Sequence, residues 1–382
     1  MTSGQESILT NARIVTRHEV MTGSLSIEAG KIKTIDSRGS QAPGAIDIEQ
    51  DFLLPGLIEM HTDNLEKQLV PRPGVVWPSP LAALLAHDTQ ISGAGITTVL
   101  DAIFIGDYGT DGFRRKLLAK SVDAIKVARR QNLLRADHML HMRCEVCDAH
   151  AVEIFESQSH EPLLRLVSIN DHTPGQRQFA DLAQYRLYHK DKKWTDEEFA
   201  EVVKNRVAHQ KRYAEKNRQK VLAICREKGL PVASHDDTTE QHVIDAVEEG
   251  ITISEFPTTL VAARKARELG IRIVMGAPNM VRGNSHSGNA SARDLARHDL
   301  LDVFSSDYYP MSLLQAPFVL NRELGISLPR AVAKVSANIA SQLGLHDRGQ
   351  IKEGKRADLV RVKVCDGIPV VKTTWRDGIR VN

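Results

Sequence analysis

Eight short apolar runs, at 57–61, 95–101, 139–145, 164–170, 231–235, 252–256, 271–275 and 302–307, each end in polar, glycine or proline residues, and most lead into a segment that reads as helix. Nothing else in this 382-residue chain restricts its fold as strongly. Runs that are apolar throughout, without polar alternation, describe strands covered on both faces, as in a parallel sheet. Eight strand and helix units in series point to an α/β fold, a closed (β/α)8 barrel of the TIM type. The competing arrangement is an open, doubly wound sheet. Its dinucleotide-binding form carries G-x-G-x-x-G after the first strand, and none follows residue 61.

The two ends of the chain also favour strands. These are 7–15, 24–28 and 31–36, the last two joined by the hairpin-like Ala29-Gly30, and then 358–364, 369–374 and 378–381. They are expected to pair as one small β-sandwich-like domain made of 1–53 and 346–382, with the barrel spanning 54–345. One interval breaks the rhythm. An insertion at about 174–228 is densely charged, and Thr195 followed by Glu198 is a capping-box pattern that opens a long helix running to residue 228. A solvated helix over the barrel mouth is expected there, rather than a separate binding module.

Lysine and arginine number 50 against 48 aspartates and glutamates, a net charge of +2. No global field therefore recruits nucleic acid or an anionic membrane, and an anionic ligand has to be held locally. Four cysteines are too few for a disulfide framework in a chain of this length, which suits a reducing compartment. With a polar start at 1–6 and no run of transmembrane length, a soluble, cytoplasmic protein is expected.

Barrel chemistry sits at the C-terminal ends of the strands. The first run ends Glu59-Met60-His61-Thr62-Asp63. A period of two places Glu59, His61 and Asp63 on one face, where His61 and Asp63 can chelate one cation. The third run places Arg143, Glu145 and Cys147 together, with Cys144 on the other face. Glu145 is either a metal-bridging carboxylate or a buried acid paired with Arg143. Cys144-x-x-Cys147 lacks a second pair, and strand alternation splits its thiols, so no cysteine metal site is expected.

The fourth run leads into Asn170-Asp171-His172, the fifth into Ser234-His235-Asp236-Asp237 and the eighth into Ser305-Ser306-Asp307-Tyr308. Any one such residue reads equally well as a helix cap, as Asp237 does ahead of Thr238 and Glu240. Together, imidazoles and carboxylates around one mouth suit one or two divalent ions, Zn, Mn or Fe. His235 and Asp307 are the candidate catalytic residues, with Asp307 placed to take the proton of an attacking water.

After the seventh run comes a loop rich in glycine and cations, Met275-Gly-Ala-Pro-Asn-Met-Val-Arg282-Gly-Asn-Ser285-His286-Ser-Gly288-Asn289. Small residues expose backbone amides there and Arg282 offers bidentate contacts, so Arg282, Ser285 and His286 are candidate phosphate ligands. Lys67, Arg72, Arg143 and Arg177 add cationic charge at the same rim. Their gathering points to a small polyphosphate or phosphonate substrate.

Residues Leu54-Pro-Gly-Leu-Ile-Glu-Met-His-Thr-Asp-Asn64 resemble the strand-one signature of the amidohydrolase superfamily, and Gly349-Gln-Ile-Lys-Glu-Gly-Lys-Arg-Ala-Asp-Leu-Val360 its C-terminal return. More specific are His61-Thr-Asp-Asn64, Ser234-His-Asp-Asp237, Glu255-Phe-Pro-Thr-Thr259, Arg282-Gly-Asn-Ser-His-Ser-Gly-Asn289 and Ser306-Asp-Tyr-Tyr-Pro310. In order and spacing these resemble the phosphonate-metabolism amidohydrolases of the carbon–phosphorus lyase pathway, over nearly the whole chain. That resemblance implies hydrolysis of α-D-ribose 1-methylphosphonate 5-triphosphate to the 5-phosphate and diphosphate. It also implies a metal site on His61, Asp63, Glu145, His172, His235 and Asp307.

The chain departs from the common superfamily pattern twice. Asp63 stands where a second histidine is usual, and the sixth strand offers Glu255-Phe-Pro-Thr instead of histidine. An oxygen-richer site favours Mn or another hard cation. Two other readings stay open: a cyclic-amide or N-acyl hydrolase acting on a carbonyl, and a catalytically silent subunit docked on a lyase assembly. Homo-oligomerisation is compatible with either.

Overall fold

The computed structural model describes residues 7–106, 113–285 and 288–382. All eight expected runs form strands: Leu57–Thr62, Ile96–Ile105, Asp137–Glu145, Leu164–Asn170, Val232–His235, Ile253–Glu255, Arg272–Gly276 and Val303–Ser305. Each pairs in parallel with the next in chain order. The first and last strands meet through a parallel bridge between Thr62 and Asp307, so the sheet closes into the (β/α)8 barrel.

The interior changes character along its axis. Ile58, Leu100, Met139, Leu166, Ala233, Ile253, Val274 and Val303, one from each strand, pack in a single apolar cluster that Ile339, Ala340 and Leu343 plug from below. Two residues further along, the third to sixth strands present His141, Ser168, His235 and Glu255, all buried. Apolar burial supplies the cohesion of that layer, and the polar groups of these four strands stand one layer nearer the mouth. The first strand is irregular. Its register shifts against the second between Glu59 and Thr62, which interrupts the alternation expected for Glu59, His61 and Asp63. Met60 joins the apolar interior, while the Glu59 carboxyl accepts from the His61 and Ser306 amides at 2.7 and 2.6 Å.

The chain ends build a second sheet. Its order runs Ile379–Arg380, Ile368–Arg376, Leu359–Cys365, Phe52–Pro55, Ser7–Val15, Val20–Glu28 and Lys31–Asp36, with Ile46–Asp47 paired beside Ser7–Val15. The strands form one continuous hydrogen-bonded sheet over a core that includes Leu9, Ile14, Leu25, Leu53, Leu359 and Trp375.

In the insertion, Thr195 and Glu198 complete a reciprocal capping box, and the helix Asp196–Lys228 runs for 33 residues to Gly229. Its second half is buried through Asn217, Val221, Leu222 and Cys225, and its first half is tied more lightly, Gln210 donating to Asp171 at 3.3 Å. The first half reaches over the barrel mouth, beside the short helix Leu182–Tyr188. No helix among the described residues is long and apolar enough to cross a membrane.

Behind the second and third strands lies a polar network without solvent access. His138 Nδ1 lies 2.8 Å from Asp101 and its Nε2 3.2 Å from Asp88, while His87 bridges Asp101 and Asn64 at 2.7 and 2.8 Å. Burial opposes a charge on His138, but the two carboxylates outweigh it and raise its pKa to about 9. A folded-state value above the unfolded one near 6.5 stabilises the fold fully below about pH 6.5, and that stabilisation is lost as pH rises through about 9. Urea midpoints between pH 7 and 10 are therefore expected to fall more steeply for the native chain than for His138→Asn. Parallel slopes would mean that His138 stays neutral.

Candidate metal centre and active site

A cavity of about 950 Å³ opens at the C-terminal ends of the strands. All six expected metal ligands, His61, Asp63, Glu145, His172, His235 and Asp307, line it, and so does Asp236. The strand ends turn sharply to aim these groups: Asp236, Phe256 and Asp307 have φ of 57°, 56° and 53°, the left-handed region that few residues besides glycine and Asx enter readily. Gly106 ends the second strand at φ +140°, where a Cβ would stand 2.8 Å from the Cβ of Glu145. Only glycine leaves that carboxylate its position.

Glu255, read from sequence as a departure from pattern, proves central. It is fully buried, with its two oxygens 2.7 Å from His61 Nδ1 and 2.9 Å from His235 Nδ1. A carboxylate only accepts, so both rings donate from Nδ1 and keep their lone pair on Nε2. Those Nε2 atoms face acids: His61 Nε2 is 3.8 Å from Asp63, and His235 Nε2 is 3.4 Å from Asp236. Burial above all, with Arg143 adding to it, lowers the His61 pKa to about 3, and burial takes His235 well below the ordinary histidine value. Both are neutral imidazoles, the form that binds a cation.

Two donor groups result. Single atoms of His61, Asp63 and Asp307 lie within 4.8 Å of one another, as do atoms of His172, His235 and Asp236. Glu145 sits beside the second group, 2.6 Å from His172 Nδ1. Burial, and next the Asp63 charge, raise Asp307 to about 7, and burial raises Asp236 to about 7. Crowded buried carboxylates beside neutral imidazoles braced from behind fit divalent cations, which would relieve the repulsion. The alternative pairing of Glu145 with Arg143 does not form. Arg143 instead donates to Asp63 at 2.7 Å, and although burial resists ionisation of Asp63, Arg143, His61 and Lys67 together lower its pKa.

The rim cations divide. Lys67 and Arg143 line the cavity, Lys67 donating to the Tyr308 carbonyl at 3.0 Å. Arg177 turns away and braces the fifth strand end, donating to the His235 carbonyl at 2.8 Å and to Asp237 at 3.1 Å. Arg72 and Arg282 are exposed and outside the lining. Where a glycine-rich phosphate loop was expected, Ala277–Arg282 forms a short helix, so Asn279, Ser285 and Asn289 reach the cavity and Arg282 does not. His286 lies outside the described residues. Asp237 is not a cap. Thr239 caps the following helix by accepting from the His242 amide, and Asp237 is buried, accepting from Ser234, Ser254 and Arg177. Cys147 donates to Asp171 at 3.0 Å, and Cys144 is buried.

A barrel with mixed imidazole and carboxylate donors at its strand ends, accompanied by a separate sheet from both chain ends, defines a class of metal-dependent hydrolases. The model of the amidohydrolase family matches residues 141–378, and the chain belongs to that family. At the level of particular proteins, it is 44% identical over 377 residues to the alpha-D-ribose 1-methylphosphonate 5-triphosphate diphosphatase of Escherichia coli (strain K12), covering 98% of this chain and all of that protein. Among solved structures, a Xaa-Pro dipeptidase with bound methionine superposes with a TM-score of 0.67 at 15% identity, over 98% of this chain and 99% of that one. N-acetylglucosamine-6-phosphate deacetylase from Pasteurella multocida gives 0.65 at 13% identity, with the same coverage. At such identities the two structures share the fold alone.

Proposed function

We propose that this chain hydrolyses α-D-ribose 1-methylphosphonate 5-triphosphate to the 5-phosphate and diphosphate. The reading is carried by the 44% identity to the Escherichia coli diphosphatase across 98% of this chain and all of that protein. His61, Asp63 and Asp307 would hold one divalent cation and Glu145, His172, His235 and Asp236 a second, the oxygen-rich first group suiting Mn. Bound there, such ions act as Lewis acids and lower the pKa of water.

The protein's own groups supply the rest. Asp307 accepts the proton as the water oxygen attacks phosphorus; the phosphoanhydride P–O bond breaks and its bridging oxygen leaves with diphosphate. Arg143 holds Asp63 ionised, and Glu255 keeps both histidines in the metal-binding tautomer. Lys67 lines the same floor and would offset phosphate charge.

Phosphorus NMR of a turnover mixture is expected to show diphosphate and the ribose 5-phosphate ester, and orthophosphate alone would reject the bond assigned. Chelation should abolish turnover and divalent ions should restore it. Retention of full activity by metal-stripped protein would remove the metal from the mechanism.

A further inference from the structure

The insertion meets the cavity with a chemistry opposite to that of the floor. The floor crowds Asp63, Glu145, Asp236 and Asp307 among histidines. From the insertion come Tyr185, Tyr188, His189, Lys192 and Arg206 and, among the described residues, no carboxylate. These groups are held in place. The Arg206 guanidinium stands near the Tyr185 hydroxyl, and the Tyr185 ring is buried against Phe179, His189 and Trp194 at centroid distances of 5.0, 4.7 and 6.4 Å. Across the mouth, the segment after the seventh strand presents amides and a hydroxyl, from Asn279, Ser285 and Asn289. Lys67, the other lysine in the lining, faces the charges of Asp63 and Asp307. The insertion is thus the side of the lining that brings cations and hydroxyls and, among the described residues, no carboxylate of its own.

A substrate of the proposed class has two unequal ends. Its diphosphate carries several negative charges and only phosphoryl oxygens, whereas the other end is a hydroxylated sugar bearing a singly charged phosphonate ester. We infer that the insertion is a diphosphate-binding arm. Lys192 and Arg206, with the hydroxyls of Tyr185 and Tyr188 and the ring of His189, hold the departing diphosphate, while the Asn279, Ser285 and Asn289 side takes the sugar. This rests on reading the site as a phosphoanhydride hydrolase. As the bridging oxygen takes up the electron pair of the broken P–O bond, the arm neutralises the charge that leaves with it.

The test is inhibition of turnover by inorganic diphosphate and by ribose 5-phosphate at fixed free metal ion, for Lys192→Ala, Arg206→Ala and Arg206→Lys. Lys192 is exposed, so its variant reports even where Arg206→Ala folds poorly. Each alanine variant is expected to raise the inhibition constant for diphosphate about tenfold, and the KM of the triphosphate similarly, by loss of a charge-assisted contact. Inhibition by ribose 5-phosphate should change less than about twofold, because the arm does not touch the sugar. Arg206→Lys should recover part of the diphosphate binding. Unchanged diphosphate inhibition would overturn the inference, and so would a selective loss of ribose 5-phosphate inhibition, which would put the sugar end on the arm. Calorimetric titration with diphosphate separates the two readings. A chain that releases no diphosphate yet binds it through Lys192 and Arg206 keeps the arm and loses the activity.

Discussion

Asp307→Asn is expected to lower kcat by about 10²–10⁴, with KM changed less than about tenfold, as follows when a general base is lost and binding is kept. The substitution is clean for a structural reason. Asp307 is tied by its backbone, its amide donating to the His61 carbonyl and its carbonyl accepting from the Asp63 amide and the Thr62 hydroxyl. Asparagine tolerates the residue's left-handed φ of 53° as aspartate does. The barrel seam survives, and what goes is the side-chain carboxylate, as proton acceptor and as one of three donors to the first proposed cation. A turnover loss below about tenfold would remove Asp307 as the proton acceptor.

Glu255→Ala is expected to weaken divalent-ion binding by about 10–100-fold, read by titration against a chromophoric chelator. Glu255→Gln should fall in the same range despite its matching shape. Its carbonyl oxygen still accepts from one histidine, but its NH2 faces the other Nδ1 and drives that ring to the tautomer protonated on Nε2. A histidine protonated on Nε2 has no lone pair there for a cation. Unchanged affinity in both variants would show that the rings orient themselves without Glu255.

The barrel was legible because its strands are continuous apolar runs, a pattern set by burial on both faces. The aspartates and histidines that meet at the cavity were legible because they end those runs. Glu255 escaped because its partners, His61 and His235, are 194 and 20 residues away, and no local pattern shows that one buried acid spans two rings. Arg177 and Asp237 misled for the same reason. As linear neighbours of strand ends they resemble a ligand and a cap, yet they pair with each other beneath the mouth. Lys192 and Arg206 were hidden among the many charges of the insertion, where sequence shows that a helix forms but not which side faces the cavity.

The bridge between Thr62 and Asp307 also bears on how the enzyme is made. It joins the first and last strands of the barrel and sets in place Asp307, the proposed general base. During synthesis the ribosome will have delivered His61, Glu145, His172, His235 and Glu255 long before residue 307 emerges. A chain stopped short of its eighth strand therefore carries most of the proposed metal-binding groups but neither the seam nor the proposed base. On the proposed mechanism, hydrolysis therefore waits on barrel closure.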